Sequence, residues 1–190
     1  GVPGDLKVTA RSLNGSLFAG FLADALVGLS AAYPEMPFEE IMNDSGRRAV
    51  QQVKENCLFG TLAVFLGARV ENFTTDRLSL DQIYALRGPD GTTWGEIVDR
   101  QKLGVNIGPR GSGARYEIGF PVFQYRGIAE EIIPWETTDA TRAAYCRAGI
   151  KTLWTSTYVG EHLTTDWLAA GDVATFLGER FEGKPELNNC

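Results

Sequence analysis

The sequence predicts an α/β protein that carries an inserted, mostly helical subdomain, and three observations point there. From about residue 9 to residue 103 the apolar residues recur at helical spacing and β patterning is nearly absent. After residue 119 the texture switches to strand–helix–strand–helix with short links, the signature of a parallel sheet covered by helices. The 190 residues are 44% apolar and 11% aromatic, enough to fill the core of one domain bearing an insertion.

Each segment has its own signal. Residues 1–8, GVPGDLKV, read as the end of a core sheet strand entering a loop, with Pro3 and Gly4 as breakers. Asn14-Gly15-Ser16 is a turn and cap, and Leu17, Phe18, Phe21, Leu22, Ala25, Leu26 and Leu29 then follow helical spacing up to Pro34. Short helices are expected at 38–43, 46–58 and 79–86, with a further apolar segment at 60–68. Residues 104–118, rich in Gly and holding Pro109, Arg110 and Arg115, read as a solvated loop. Phe120–Tyr125 is a strand; Thr138–Ala148 is a helix with Thr138 as N-cap and Gly149 at C′. Ile150–Tyr158 is a second strand, and Thr164–Phe181 a last helix turning Leu168, Val173, Phe176, Leu177 and Phe181 inward. Two strands are too few for a sheet that stands alone, so the pattern requires further strands.

Composition removes several classes of function. A net charge of −6 and a pI near 4.9 argue against a nucleic-acid partner, which wants a basic face. No run of 18 apolar residues exists, so no membrane span is expected. Cys57, Cys146 and Cys190 lie far apart and form no C-x-x-C, so no metal site is expected. A Cys146–Cys190 disulfide would tie residue 190 to the body; three reduced thiols are the alternative. The stretch GVPGDLKVTA lacks the charged start and apolar run of a signal peptide. Asn14, Asn43 and Asn72 each open an N-x-S/T triplet, a glycosylation acceptor on a eukaryotic secretory route.

The chemistry gathers around the single histidine, His162, in the stretch TYVGEHLTTDWLAA. A lone histidine is usually an ordinary surface or core residue, so its neighbours must carry the case. In doubly wound sheets functional residues sit just past the carboxyl ends of strands. The first strand leads into RGIAEEIIP, which places Glu130 and Glu131 there, and the second leads into VGEH, which places His162 in the equivalent loop. An acid after one strand and a histidine after the next is the tail of the Ser…Asp/Glu…His order of α/β-hydrolases. That chemistry needs a carboxylate to accept a hydrogen bond from one imidazole nitrogen, set its tautomer and stabilise the imidazolium. Glu130 and His162 are 32 residues apart, room for one helix and one strand.

At this point GVPGDL, FPVFQYRGIAEEIIPW, the YCRAGI helix, GEHLTTDWL and the closing RFEGKP…C together resemble the secretory lipase family, the Candida antarctica lipase A-like α/β-hydrolases. The resemblance is strong over residues 119–190, good over 1–6 and weak between. It implies a fold that is the C-terminal part of an α/β-hydrolase sheet with an inserted helical cap. On that reading residues 1–8 end a core strand, 9–103 form the cap or lid, and 104–190 carry the acid and the histidine. The family pattern Y-H-G-x-x-D-E-x-x-P aligns with Tyr125, Gly127, Glu131 and Pro134. It puts Glu130 on the acid and, with G-x-H, His162 on the base; Glu131 is the fallback acid. Two departures stand out: the acid is Glu rather than Asp, and Arg126 replaces the family's histidine before the glycine.

No G-x-S-x-G nucleophile elbow occurs. Ser30, in Gly28-Leu29-Ser30-Ala31-Ala32, lies in an apolar helical segment, and Ser112 in a flexible loop. The resemblance implies that the serine lies upstream of GVPGDL, on an N-terminal portion of the same enzyme, and that Cys57 pairs with a cysteine there. It implies a secreted ester hydrolase acting on acylglycerols at a lipid interface, without metal or organic cofactor, and inert as these 190 residues alone. Phe18, Phe21, Leu22, Leu58, Phe59, Leu62, Phe65 and Leu66 are candidates for an acyl-binding lining in the cap. The competing classes are a non-catalytic helical module binding lipid or a partner, and a hydrolase of another substrate on the same fold.

Overall fold

The computed structural model describes residues 2–56 and 58–190, and the chain divides into two compact units. The expected role of Cys57 lies outside the described residues.

The unit Asp5–Gln101 is helical. It holds α1 (Leu6–Leu13), α2 (Ala19–Ala32), α3 (Asp44–Glu55), α4 (Leu58–Val64), α5 (Leu80–Ala85) and α6 (Trp94–Asp99), with short 3-10 turns at Phe38–Ile41, Val70–Asn72 and Thr75–Arg77. Its core includes Met36, Phe38, Ile83, Trp94 and Ile97, with both isoleucines fully buried. Each such side chain stabilises the unit by about 1.5–3 kcal/mol. Two corrections concern local signals. Residues 6–8 are not the end of a strand but the first turn of α1, because the Asp5 carboxylate accepts from the N–H groups of Lys7 and Val8 and caps the helix. Helix α6 was not expected, yet Thr93-x-x-Glu96 is a capping box: Glu96 N–H donates to the Thr93 hydroxyl and Thr93 N–H to the Glu96 carboxylate.

The unit Gly1–Gly4 with Lys102–Cys190 carries the strands. The segment read as a loop at 104–118 holds two three-residue parallel strands, β1 (Ile107–Pro109) and β2 (Tyr116–Ile118). The second sheet pairs β3 (Val122–Gly127) with β4 (Thr152–Tyr158) in parallel, Phe123 opposite Leu153 and Tyr125 opposite Thr155, with a register shift before Gly127 meets Tyr158. Helix α7 (Trp135–Arg147) connects them, and α8 (His162–Phe181) follows β4. Ile132, Ile133, Ile150, Ala169 and Phe176 are buried here, and the Phe123 and Phe176 rings lie 5.4 Å apart.

Two helix readings change. Thr138 does not cap α7; the helix begins three residues earlier, after Pro134, whose fixed φ suits a helix start. On α8 the buried stripe is Thr165, Ala169 and Phe176, whereas Leu168 and Leu177 are half exposed and Phe181 is almost fully exposed. That helix is apolar on more than one side, so periodicity could not choose the inward one.

The tail seals one edge of the second sheet. Thr152 N–H donates to Asn188 Oδ1 (3.1 Å) and Thr152 C=O accepts from Asn189 N–H (3.1 Å). Trp154 N–H donates to Asn189 Oδ1 and its C=O accepts from Asn189 Nδ2, both at 2.8 Å. The Asn189 side-chain amide thus stands where a neighbouring strand's peptide group would, and an open strand edge is covered. The disulfide Cys146–Cys190 ties this tail to α7, as one of the two sequence readings had it.

Candidate active site

The site sits where β3 and β4 end. Beyond their last paired residues the two loops remain stitched: Ile128 N–H donates to Tyr158 O (2.9 Å) and Ala129 N–H to Gly160 O (3.1 Å). This approach requires Gly127, where a Cβ would come within 2.2 Å of the Gly160 carbonyl oxygen. The acid loop and the histidine loop are therefore held side by side before any side chain acts.

His162 is the first residue of α8 and lies against Glu130. Its Nδ1 is 2.7 Å from Glu130 Oε1 and 3.0 Å from Oε2, and the two side chains are 11% and 8% exposed. Glu130 Oε1 also accepts the N–H groups of Ile132 (3.1 Å) and Ile133 (2.9 Å), so its own loop fixes the carboxylate. Burial pushes the Glu130 carboxyl up, but the hydrogen bond from His162, that from the Ile133 N–H and the remaining contacts outweigh it, holding it below the ordinary carboxylate value. The carboxylate accepts only, so Nδ1 carries a proton and Nε2 of the neutral ring is left as an acceptor. Among the described residues none donates to Nε2.

Glu131 does a different job from its neighbour. Its Oε2 accepts the backbone N–H of His162 at 3.0 Å, while the ring belongs to Glu130. Glu161 caps α8, accepting from Leu163 N–H (2.6 Å) and Thr164 N–H (3.0 Å), bonds that hold its carboxyl low. Negative charge at a helix start is favoured by the helix dipole.

Sequence reasoning gave Arg126 no role beyond a departure from a pattern. Its guanidinium, 9% exposed, is 4.3 Å from the centre of the Trp135 ring and 5.3 Å from that of Trp154. It donates to Trp135 O (3.2 Å), Thr138 Oγ1 (2.7 Å) and Asp139 Oδ1 (3.0 Å). It thereby ties the end of β3 to the start of α7. A cavity of about 380 Å³ runs past Phe123, Tyr125, Arg126, Glu130, Trp154 and His162.

The two serines weighed from sequence are otherwise engaged. Ser30 lies inside α2, donating to Met36 O (2.8 Å) and accepting Phe38 N–H (3.2 Å). Ser112 Oγ accepts the N–H of Ala114 in its own turn. Among the described residues no group of three or more His, Cys, Asp or Glu side chains is arranged to hold a metal ion, and no helix is long and apolar enough to cross a membrane.

Comparison with known proteins places the chain as a whole. The family model described as secretory lipase matches residues 1–189. Lipase 1 of Candida albicans is 29% identical over 98% of the chain, which covers 38% of that protein. A secreted triacylglycerol lipase of Malassezia globosa is 25% identical over the whole chain, again 38% of its own length. The crystal structure of Candida antarctica lipase A in its closed state superposes with a TM-score of 0.78 at 22% identity, covering 97% of this chain and 41% of that one, which shows the lipase fold. The chain thus spans about two fifths of the length of these relatives. By the match along its length the chain belongs to the secretory lipase family, a family of extracellular proteins.

Proposed function

We propose that these residues are the acid- and base-bearing part of a secreted, serine-dependent ester hydrolase, with the nucleophilic serine outside the 190 residues. The observation that carries this is the contact of 2.7 Å between His162 Nδ1 and Glu130 Oε1 at the ends of neighbouring parallel strands. In the mechanism a serine hydroxyl attacks the ester carbonyl while His162 Nε2 takes its proton. The tetrahedral intermediate collapses, the alkoxide leaves with that proton, and a serine ester of the acyl group remains. Water, activated in turn by His162, hydrolyses this ester and restores the serine. Glu130 keeps Nδ1 protonated and stabilises the imidazolium at each transfer. The steps call for no cofactor.

The substrate class we infer is acylglycerols presented at a lipid interface. In support, one relative is named a secreted triacylglycerol lipase. The compact helical unit, close to the 9–103 span, is taken as the cap. It leaves Leu58, Phe59 and Leu66 exposed, apolar side chains suited to a lipid surface. A serine-reactive fluorophosphonate tests the reading. It is expected to label the full-length protein once, at a serine outside residues 1–190, and to leave the 190-residue chain unlabelled. Stoichiometric labelling at Ser30 or Ser112, or no labelling of the full-length protein, would overturn it.

A further inference from the structure

We infer that Glu131 is a positioning residue that holds the His162 backbone so that the ring presents Nε2 in one direction; this rests on the hydrolase reading above. The two loops that leave β3 and β4 are joined rung by rung. Ile128 N–H meets Tyr158 O, Ala129 N–H meets Gly160 O, and the next rung is made by side chains. There Glu130 takes the ring at Nδ1 and Glu131 takes the backbone N–H of the same residue at 3.0 Å. Where the main chains diverge, the Glu131 carboxylate replaces the carbonyl that a continuing strand would have offered.

The His162 N–H is a helix-start donor with no partner inside α8. Glu161 satisfies the next two donors, of Leu163 and Thr164, and leaves that of His162 to Glu131. Both grips come from one loop that is itself locked, because the Glu130 carboxylate is held by the N–H groups of Ile132 and Ile133. A ring held only at Nδ1 can still swing with its backbone. A second point of attachment on that backbone removes the motion and fixes where Nε2 points. A misplacement of about 1 Å costs up to about a hundredfold in rate.

The test compares Glu131→Ala with Glu131→Gln in the full-length enzyme. The glutamine keeps an acceptor oxygen for the N–H and loses only the charge. For Glu131→Ala, kcat on a soluble ester should fall about tenfold at unchanged KM, and the His162 amide should exchange with deuterium at least about tenfold faster. Glu131→Gln should recover most of both, with the pH profile of kcat/KM unmoved. If glutamine is as damaging as alanine, charge rather than position is at work and the inference fails. If alanine leaves either kcat or the exchange rate unchanged, it fails as well. The hydrolase reading fails separately, through retention of activity in Glu130→Ala or His162→Ala, and the exchange experiment still reports on the grip.

Discussion

The disulfide and the asparagine clip should be worth more to this fold than the exposure of the clip suggests. The perturbation is replacement of both Cys146 and Cys190 by serine, which removes the bond without freeing either of its thiols. The cross-link closes a loop spanning 44 positions. In the chain-entropy treatment such a loop lowers the freedom of the unfolded chain by an amount equivalent to about 4 kcal/mol at 25 °C. The tail's hydrogen bonds to Thr152 and Trp154 then rest on exposed asparagines, each bond worth about 1 kcal/mol. Urea denaturation followed by tryptophan fluorescence should show the midpoint falling, the slope rising as the unlinked chain unfolds to a more open state, and a stability loss of about 2–4 kcal/mol. Amide exchange supplies a local readout, since the N–H groups of Thr152 and Trp154 should lose protection before the rest of β4. A loss below about 1 kcal/mol, with both amides still protected, would show that the clip holds unaided and refute the reasoning.

Three further outcomes follow from the site. Glu130→Gln in the full-length enzyme should lower kcat about a thousandfold or more at nearly unchanged KM, because a neutral amide no longer enforces the Nδ1–H tautomer; steady-state kinetics on a soluble ester check it. Gly127→Ala should destabilise by about 1–3 kcal/mol in a denaturant titration, since the new methyl meets the Gly160 carbonyl and the Thr165 hydroxyl. Glu130 also makes stability depend on pH. Its carboxyl is held below the ordinary value of 4.5 in the folded chain, so its contribution is complete above that value and is lost as pH falls below it. Stability measured between pH 6 and pH 3 should therefore fall more steeply in the wild-type protein than in Glu130→Gln.

Much of the site was legible along the chain because strand ends are legible. FPVFQY and IKTLWTSTY announce strands by β-branched and aromatic content, and whatever follows such a strand in a parallel sheet lies at its carboxyl end. That placed Glu130 and His162 in adjacent loops without any coordinates. Spacing alone could not divide the labour between Glu130 and Glu131. The resemblance assigned the ring to Glu130 with Glu131 as the fallback, and the folded loop turns so that the Glu130 carboxylate meets the ring while that of Glu131 meets the backbone. Pro3 and Gly4 signal a break, but Asp5 directly after them is a helix N-cap, so the break precedes the start of α1 and does not end a strand.

Local chemistry, then, wrote the helix caps, the strands and the kinds of residue at their ends, since caps and periodicity act over a few neighbours. Tertiary packing decided the rest: which stripe of α8 is buried, what Arg126 is stacked between, and how Asn188 and Asn189 come to complete β4. These depend on surfaces brought together from positions tens of residues apart, and no local pattern of apolar and polar residues encodes which of two available faces meets its partner.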